Sequence, residues 1–134
     1  MPTLFAQIGA EKLREVLTDF YRRVFSDVMI GFLFLGKDQQ RLIDKEWEFT
    51  AQLLGGDVRY TGRPIAQAHA QSPILGGHFA RRLQILKDTL GDHHISEAVQ
   101  TVWIEHTLSL RNQVTKDRGT DCDHSQAAGK QPKV

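Results

Sequence analysis

His69 is one of three polar side chains whose positions in this sequence could carry chemistry. It lies in a short helix-prone stretch, residues 65–71, which follows a loop with Gly62 and Pro64 and precedes a second break at residues 72–77. So short a helix buries little area, but it would hold an imidazole in place between two longer helices. Neutral imidazole is a common metal ligand, although a lone histidine near apolar residues is more often a hydrogen-bonded core or surface side chain.

Tyr21 and Glu46 occupy positions where helical periodicity favours apolar side chains. A tyrosine at such a position either packs its ring and bonds its hydroxyl to a backbone carbonyl, or directs a hydroxyl donor into a cavity. Glu46 lies between Leu42 and Phe49 on an apolar stripe. Because an unpaired buried carboxylate is costly, Glu46 either reaches water at the stripe edge or is paired, protonated or facing a polar pocket.

The elements that position these side chains are predicted to be helices. Asp38 has the side chain of an N-cap, and Gly55 follows the segment that it begins. Trp103 and His106 fall on the core face of the final segment, where a buried ring and a hydrogen-bonded imidazole are the simplest interpretations. The pattern predicts an all-α fold with long helices over residues 10–26, 38–54, 78–90 and 95–114, and short pieces over 3–8 and 27–35.

Length and composition predict a single globular domain with a polar tail. The chain has 134 residues, of which 40% are hydrophobic and 25% charged. Its 17 basic and 16 acidic residues give no support to a nucleic-acid or anionic-membrane surface. Cys122 is the only cysteine, so no intrachain disulfide can form, and no signal peptide or membrane-spanning run is recognisable. We therefore expect a soluble cytoplasmic protein with a domain over residues 1–115 and a disordered tail over 116–134.

Familiar catalytic motifs for zinc, phosphate and serine-hydrolase chemistry are absent from the sequence. A different set of motifs recurs in order along residues 3–115: LFAQIG near the start, DFYRRVFSD at 19–27, IGFLFLG at 30–36, LLGG at 53–56, YTGRP at 60–64, and then His69. In this order and at these spacings they resemble the truncated, two-over-two haemoglobins, and the first subgroup most closely. The resemblance implies an all-α two-over-two helical sandwich that encloses haem b.

The same resemblance implies roles for individual residues. His69 matches the proximal histidine that binds haem iron, and Tyr21 matches the distal tyrosine whose hydroxyl hydrogen-bonds bound O₂ and slows its release. Glu46 stands where relatives usually have a distal glutamine and would act with Tyr21 as the catalytic pair. Because a carboxylate donates only when protonated, ligand stabilisation by Glu46 would depend on pH. The implied haem contacts, besides His69, are Phe34, Leu42, Lys45, Phe49, Tyr60, Ile74 and Phe79, with Lys45 and Tyr60 near the propionates.

Three positions depart from the pattern of these haemoglobins. Thr50 replaces a bulky residue often found at a proposed gas tunnel. Arg82 falls where an apolar residue or tryptophan is usual, so either the local alignment slips or this pocket is unusually polar. Lys45 occupies a position that supplies an internal sixth iron ligand in some relatives.

The leading hypothesis from the sequence is a haem protein that binds O₂, NO or CO reversibly at ferrous iron. Its activity would be NO dioxygenation with an external reductase, redox detoxification or oxygen handling, in a monomer or weak homodimer. The alternative is a gas- or redox-sensing module with six-coordinate haem that signals to a partner through the tail. A third interpretation is a helical interaction module without haem, which only Glu46 and Arg82 favour.

Overall fold

The computed structural model of the protein describes residues 2–64 and 74–115, and every regular element in these ranges is a helix. His69 and the short helix predicted over residues 65–71 lie outside the described residues, and so does the predicted tail over 116–134. The elements in chain order are α1 (Leu4–Ile8), α2 (Ala10–Phe25), a 3₁₀ helix (Gly31–Phe34), α3 (Gln39–Leu53), α4 (Gly76–Asp92), α5 (Glu97–Ser109) and α6 (Arg111–Val114).

Helix α2 is the central element of the fold. It packs against both α3 and α4, and α4 in turn packs against α5. Its inner face carries the apolar stripe that the sequence predicts, with Leu13, Leu17 and Phe20 almost fully buried. Burying this stripe against two neighbours is what fixes the arrangement of the helices. None of the helices in the described ranges is both long and apolar enough to cross a membrane.

The ends of α1 and α3 are set by local hydrogen bonds. The Thr3 hydroxyl accepts from the Ala6 amide at 3.0 Å, and the Asp38 carboxylate accepts from the Arg41 amide at 3.1 Å. Side-chain caps of this kind satisfy amides that have no partner within the helix. After α3, Gly55 has a φ of 92°, a conformation that other residues rarely adopt. The predicted boundaries of α3 are confirmed.

Both predicted boundaries of the helix expected over residues 78–90 are wrong. Gly76 and Gly77 do not separate a loop from α4 but form its first turn, and the helix continues through Gly91 to Asp92. Gly76 and Gly77 are tolerated in the first turn because a hydrogen bond between the residues on either side of them holds the start of α4. The Leu75 amide, just before the helix, donates to Nδ1 of His78 at 3.1 Å.

The single long C-terminal helix expected over residues 95–114 is instead two helices, with a turn at Leu110. The hydroxyl of Thr107 donates to the Trp103 carbonyl at 2.9 Å, and that of Ser109 donates to the His106 carbonyl at 2.6 Å. Hydroxyls that bond to backbone carbonyls one turn earlier compete with the regular helical ladder. The apolar periodicity runs on through the turn, so it does not reveal this break.

The segment between α2 and α3 is tied down by one carboxylate. Asp27 accepts hydrogen bonds from the amides of Met29 and Ile30 and pairs with Arg81 of α4 at 2.7 Å. The Arg81 hydrogen bond, with the two amides, lowers the pKa of Asp27 and keeps the carboxylate charged. The segment therefore has a fixed position on α4, and the prediction of a short helix or turn there is confirmed by the 3₁₀ helix.

A second cluster of charges joins α2 to the end of α4. Asp19 accepts from Arg22, from Arg23 at 3.0 Å, and contacts Nε2 of His93, the C-cap residue of α4, at 2.8 Å. Burial alone would raise the pKa of Asp19, but the hydrogen bonds from His93, Arg23 and Arg22 outweigh it and lower the pKa to about 2. Asp92 also pairs with Arg23, at 2.9 Å, but is largely exposed.

We expect Asp19→Asn to reduce the free energy of unfolding at neutral pH by about 2 kcal/mol, the stabilisation that follows from this lowered pKa. Because the folded-state pKa lies below the ordinary 3.8, the stabilisation is complete above pH 3.8 and is lost as the pH falls towards 2. Urea unfolding at several pH values should therefore show converging stabilities in acid. Asp92→Asn is the matched control and should cost less than about 0.5 kcal/mol. Parallel pH curves for wild type and Asp19→Asn would contradict the assignment.

Candidate functional site

The helices enclose a cavity of about 350 Å³, bounded by α2, the 3₁₀ segment, α3, α4, α5 and α6. A cavity of this size falls within the range of small-molecule sites, which are largely apolar with a few polar groups. Its apolar wall is formed by Ile30, Leu33, Phe34, Leu42, Phe49, Leu53, Ile74, Phe79, Trp103, Leu110 and Val114.

Nine of the ten site residues predicted from the sequence lie around this cavity. The tenth, the predicted iron ligand His69, lies outside the described residues. The nine are Tyr21, Phe34, Leu42, Lys45, Glu46, Phe49, Tyr60, Ile74 and Phe79. Their roles towards haem stay predictions, but the structure brings them to one place from five separate parts of the chain.

Helix α3 has two apolar faces with different functions. Leu42, Glu46, Phe49 and Leu53 follow one another at steps of four, three and four, and all four are only half-buried because they face the cavity. The residues of α3 that pack into the core are on the adjacent face, namely Ile43, Thr50 and Ala51. Glu46 is therefore on a stripe that is apolar in sequence but borders an open space, which explains how a carboxylate is tolerated there.

Four polar side chains meet at the inner end of the cavity: Tyr21, Glu46, Thr50 and Arg82. The Thr50 hydroxyl donates to Oε2 of Glu46 at 3.2 Å, and a guanidinium nitrogen of Arg82 lies 3.8 Å from Oε1 of Glu46. The Tyr21 hydroxyl interacts with both Glu46 and Arg82. We call these four residues the inner polar cluster.

The ring of Tyr21 is held by its neighbours. It makes edge contacts with Phe20 at 5.1 Å and Phe25 at 6.4 Å between ring centroids, and the residue is only 5% exposed. Burial raises the pKa of Tyr21, and the Glu46 charge raises it further. Tyr21 therefore stays a neutral hydroxyl, able to donate one hydrogen bond and to accept others.

Arg82 is charged despite its position in the cavity wall. Burial opposes the charge, but Tyr21 and Glu46 outweigh this and raise the pKa of Arg82. Its guanidinium also lies 4.9 Å from the centre of the Phe20 ring, a favourable cation–π arrangement. Of the two explanations for Arg82 in the sequence, an unusually polar pocket is the one that the structure favours.

The outer end of the cavity is basic, with Lys37, Arg41, Lys45 and Arg63 among its lining residues. Lys45 donates to the Thr61 hydroxyl and lies 3.8 Å from Glu48, so its ammonium group has partners at this rim. The Tyr60 hydroxyl donates to the Arg63 carbonyl at 2.8 Å, while its ring packs on Phe49. Coordination of iron by Lys45 would require it to leave Thr61 and Glu48.

Two further histidines line the cavity. Nδ1 of His78 accepts the Leu75 amide, and its ring contacts Phe32 at 5.5 Å. His106 packs against Phe49 at 5.6 Å. Trp103 is 2% exposed, as expected of a core residue, and it also forms part of the cavity wall.

Haem is a flat apolar macrocycle with two carboxylates and an iron that accepts an axial ligand. The described residues fit such a group, because the cavity combines an apolar wall, a basic outer end and a cluster of hydrogen-bonding groups at its inner end. Lys45, Arg63 and Tyr60 are suited to the carboxylates, whereas Phe34, Phe49 and Phe79 are suited to the ring.

Sequence reasoning recognised Arg82 only as a departure from a pattern. Its position contains a signal that could have placed it: Arg82 follows Phe79 by three residues and precedes Leu86 by four, so it lies on the buried stripe of α4. A cation on such a stripe requires a partner, and Glu46 on the apolar stripe of α3 requires one as well.

Comparisons with known protein families and sequences both find globins. Residues 3–116 match the bacterial-like globin family. A group 1 truncated haemoglobin of Mycolicibacterium paratuberculosis is 39% identical over 82 residues, which cover 61% of this chain and 60% of that protein. A group 1 truncated haemoglobin of Tetrahymena thermophila is 29% identical over 112 residues, which cover 79% of this chain and 91% of that protein.

Among solved structures, the Fe(III) form of truncated haemoglobin from Tetrahymena pyriformis superposes with a TM-score of 0.76. The match has 21% sequence identity and covers 87% of this chain and 100% of the other. At that identity the likeness shows the fold alone. The predicted all-α, two-over-two fold and the predicted family resemblance are both confirmed.

Proposed function

This chain belongs to the bacterial-like globin family, and on that premise we propose that it is a haem b protein which binds O₂, NO and CO reversibly. Membership in this family implies haem and small gas ligands. The finer proposal is that the protein consumes NO by dioxygenation. The observation that supports it is the inner polar cluster, which places a protonated hydroxyl and a guanidinium beside the apolar wall of the cavity.

Each part of the cavity has a distinct task in this proposal. Ferrous haem, when bound, would supply the reversible binding of diatomic gases. His69 would provide the axial imidazole, and Phe34, Phe49 and Phe79 would hold the macrocycle and exclude water. Lys45 and Tyr60 would lie near the propionates.

Tyr21 is the residue that we propose to contact the gas ligand. Its hydroxyl stays protonated because burial raises its pKa, so it can donate from Oη to a ligand atom that carries partial negative charge. Phe20 and Phe25 hold the ring, so the position of the Tyr21 oxygen is fixed before a ligand arrives. A hydrogen bond from this position increases the retention of O₂ relative to CO, which is a weaker hydrogen-bond acceptor.

NO dioxygenation consumes one NO, one O₂ and one electron and yields nitrate. The electron must come from outside the chain, and an external reductase is the partner that we propose for it. Tyr21 would retain O₂ in the cavity until NO enters along the apolar wall.

The proposal is tested by absorption spectra of the purified protein, expressed with haem supply, in its ferric, dithionite-reduced and CO-bound forms. We expect one haem per chain, a CO-induced shift, and NO consumption that depends on both O₂ and an added reductase. Absence of haem would overturn the proposal. A reduced spectrum that is already six-coordinate before CO is added would instead favour the sensing function with Lys45 as the sixth ligand.

A further inference from the structure

The segment between α2 and α3 carries most of the large apolar side chains that the described ranges leave exposed. Val28 is 97% exposed and Leu35 is 80% exposed, and Met29 and Phe32 are each more than half exposed. We call these four side chains the outer patch. Large apolar side chains that gather on one short exposed segment indicate a surface where a partner binds.

The outer patch is fixed on the rest of the domain. The Phe32 ring contacts His78 of α4, with 5.5 Å between ring centroids. A Cβ at Gly31 would lie 2.8 Å from the Phe25 carbonyl oxygen, so the segment also packs closely on the end of α2. Together with the ion pair between Asp27 and Arg81, these contacts form the surface in advance, which lowers the cost of binding.

The free charges beside the outer patch are positive. Lys37 and Arg41 are exposed, and neither is within ion-pair distance of a carboxylate in the described part of the chain. The neighbouring carboxylates already have partners, because Asp27 pairs with Arg81 and Asp38 caps α3. An apolar centre with unpaired cations at its edge fits a partner that carries acidic groups around an apolar centre.

This charge pattern selects among the possible occupants. In a two-fold dimer formed through the outer patch, the same cations of both copies would come together without carboxylates to balance them. Two cations attract an anionic lipid surface only weakly. Small apolar contacts with complementary charges are typical of brief complexes between electron-transfer proteins.

The outer patch lies directly behind the wall of the cavity. Ile30, Leu33 and Phe34 of the same segment line the cavity, whereas Phe32 and Leu35 are exposed on its outside. A partner on the outer patch is therefore separated from a group in the cavity by this one segment.

We propose that the outer patch, with Lys37 and Arg41 beside it, is the docking surface for a small acidic electron-transfer protein. This inference rests on the proposed haem function, and it adds the chemistry of the electron donor and its place of contact. With flavodoxin as the donor, the flavin hydroquinone loses one electron and ferric iron gains it. No covalent bond forms or breaks in this step.

The test is stopped-flow reduction of the ferric haem-loaded protein by reduced flavodoxin, a small acidic flavin protein, with CO present to trap the ferrous form. Lys37→Glu/Arg41→Glu should lower the second-order rate constant about 10- to 100-fold at low ionic strength, because repulsion replaces attraction. High salt should reduce this difference. Leu35→Ser should lower the rate constant about three- to tenfold with the salt dependence unchanged, since it removes apolar contact and no charge.

Matched controls separate docking from damage to the cavity. Lys87→Glu makes the same change of charge as Lys37→Glu at an exposed position of α4. It should leave the rate constant within about twofold, whereas Lys37→Glu should lower it about three- to tenfold. Reduction by dithionite, which needs no docking surface, should stay within about twofold in every variant. Equal losses of reduction by flavodoxin and by dithionite would overturn the inference.

Carbodiimide cross-linking of the same two proteins, mapped by mass spectrometry, gives a readout that needs no haem. We expect salt-sensitive cross-links between Lys37 and carboxylates of flavodoxin. Cross-links confined to Lys12 and Lys87 would contradict the proposed surface. If the protein lacks haem, the gas-binding proposal fails, and cross-linking still decides whether an acidic protein docks at the outer patch.

Two other occupants of the outer patch give distinct results. Sedimentation with vesicles of phosphatidylcholine and phosphatidylserine that Leu35→Ser abolishes, with flavodoxin reduction unchanged, would assign the surface to a membrane. A dimer in analytical ultracentrifugation that Leu35→Ser dissociates, again with flavodoxin reduction unchanged, would assign it to a second copy of this chain. Either result overturns the inference.

Discussion

Replacement of His69 by alanine is expected to lower haem affinity by on the order of 100-fold or more. The reason is that His69 is the proposed axial ligand, and even residues that only support a metal ligand are worth about 10- to 100-fold. The measurement is haem content after purification, together with transfer of haem to an excess of a competing apoglobin. Added imidazole should restore part of the binding, because it can occupy the position that the missing side chain leaves.

Two other histidines make this prediction specific. His78 and His106 line the same cavity, so either is an alternative imidazole in reach of a bound group. His78→Ala and His106→Ala should each retain haem, with at most a modest loss of stability from the contacts with Leu75 and Phe49. If one of these variants loses haem while His69→Ala retains it, the iron ligand is the histidine that was replaced in that variant and not His69.

Tyr21→Phe is expected to raise the rate of O₂ dissociation about 10- to 100-fold, while CO dissociation changes little. The substitution removes the hydroxyl donor and keeps the ring that packs between Phe20 and Phe25. The rate is measured by mixing the oxygenated protein with CO and following the exchange. NO consumption should fall in parallel, since the ligand is retained for a shorter time.

Tyr60→Phe is the matched control for Tyr21→Phe. Tyr60 lines the same cavity, but its hydroxyl already donates to the Arg63 carbonyl at 2.8 Å, so its removal should not affect O₂ release. An unchanged O₂ off-rate in Tyr21→Phe would mean that the Tyr21 proton is donated to Glu46 instead. Arg82 would then be the principal donor to ligands, and Arg82→Leu would show the faster O₂ release.

Much of the site was accessible from the sequence because it depends on local patterns. Helical periodicity placed Tyr21 on the inner face of α2 and Glu46 among Leu42, Phe49 and Leu53 on one face of α3. Motif order supplied the family, and with it the expectation that these residues share a pocket. Tyr60 and Lys45 line that pocket, and their predicted position near the propionates stays a prediction.

The errors in helix boundaries came from effects that residue patterns describe poorly. Glycines usually break helices, yet Gly76 and Gly77 begin α4 because His78 accepts the amide that precedes them. The break at Leu110 follows two residues whose hydroxyls bond to backbone carbonyls, Thr107 and Ser109, and apolar spacing carries no information on it.

The sequence by itself determined the helical class, the family and the residues that border the cavity, since each of these follows from periodicity or from motifs within short stretches. Only the tertiary structure decided that Arg82 of α4 faces Glu46 of α3 and Tyr21 of α2. Those side chains come from three helices far apart in the chain, and their meeting depends on how α2 packs against both neighbours. Each is an unexplained polar residue on an apolar stripe when taken alone. Packing makes them one cluster, because buried charges and hydroxyls are stable only where they have one another as partners.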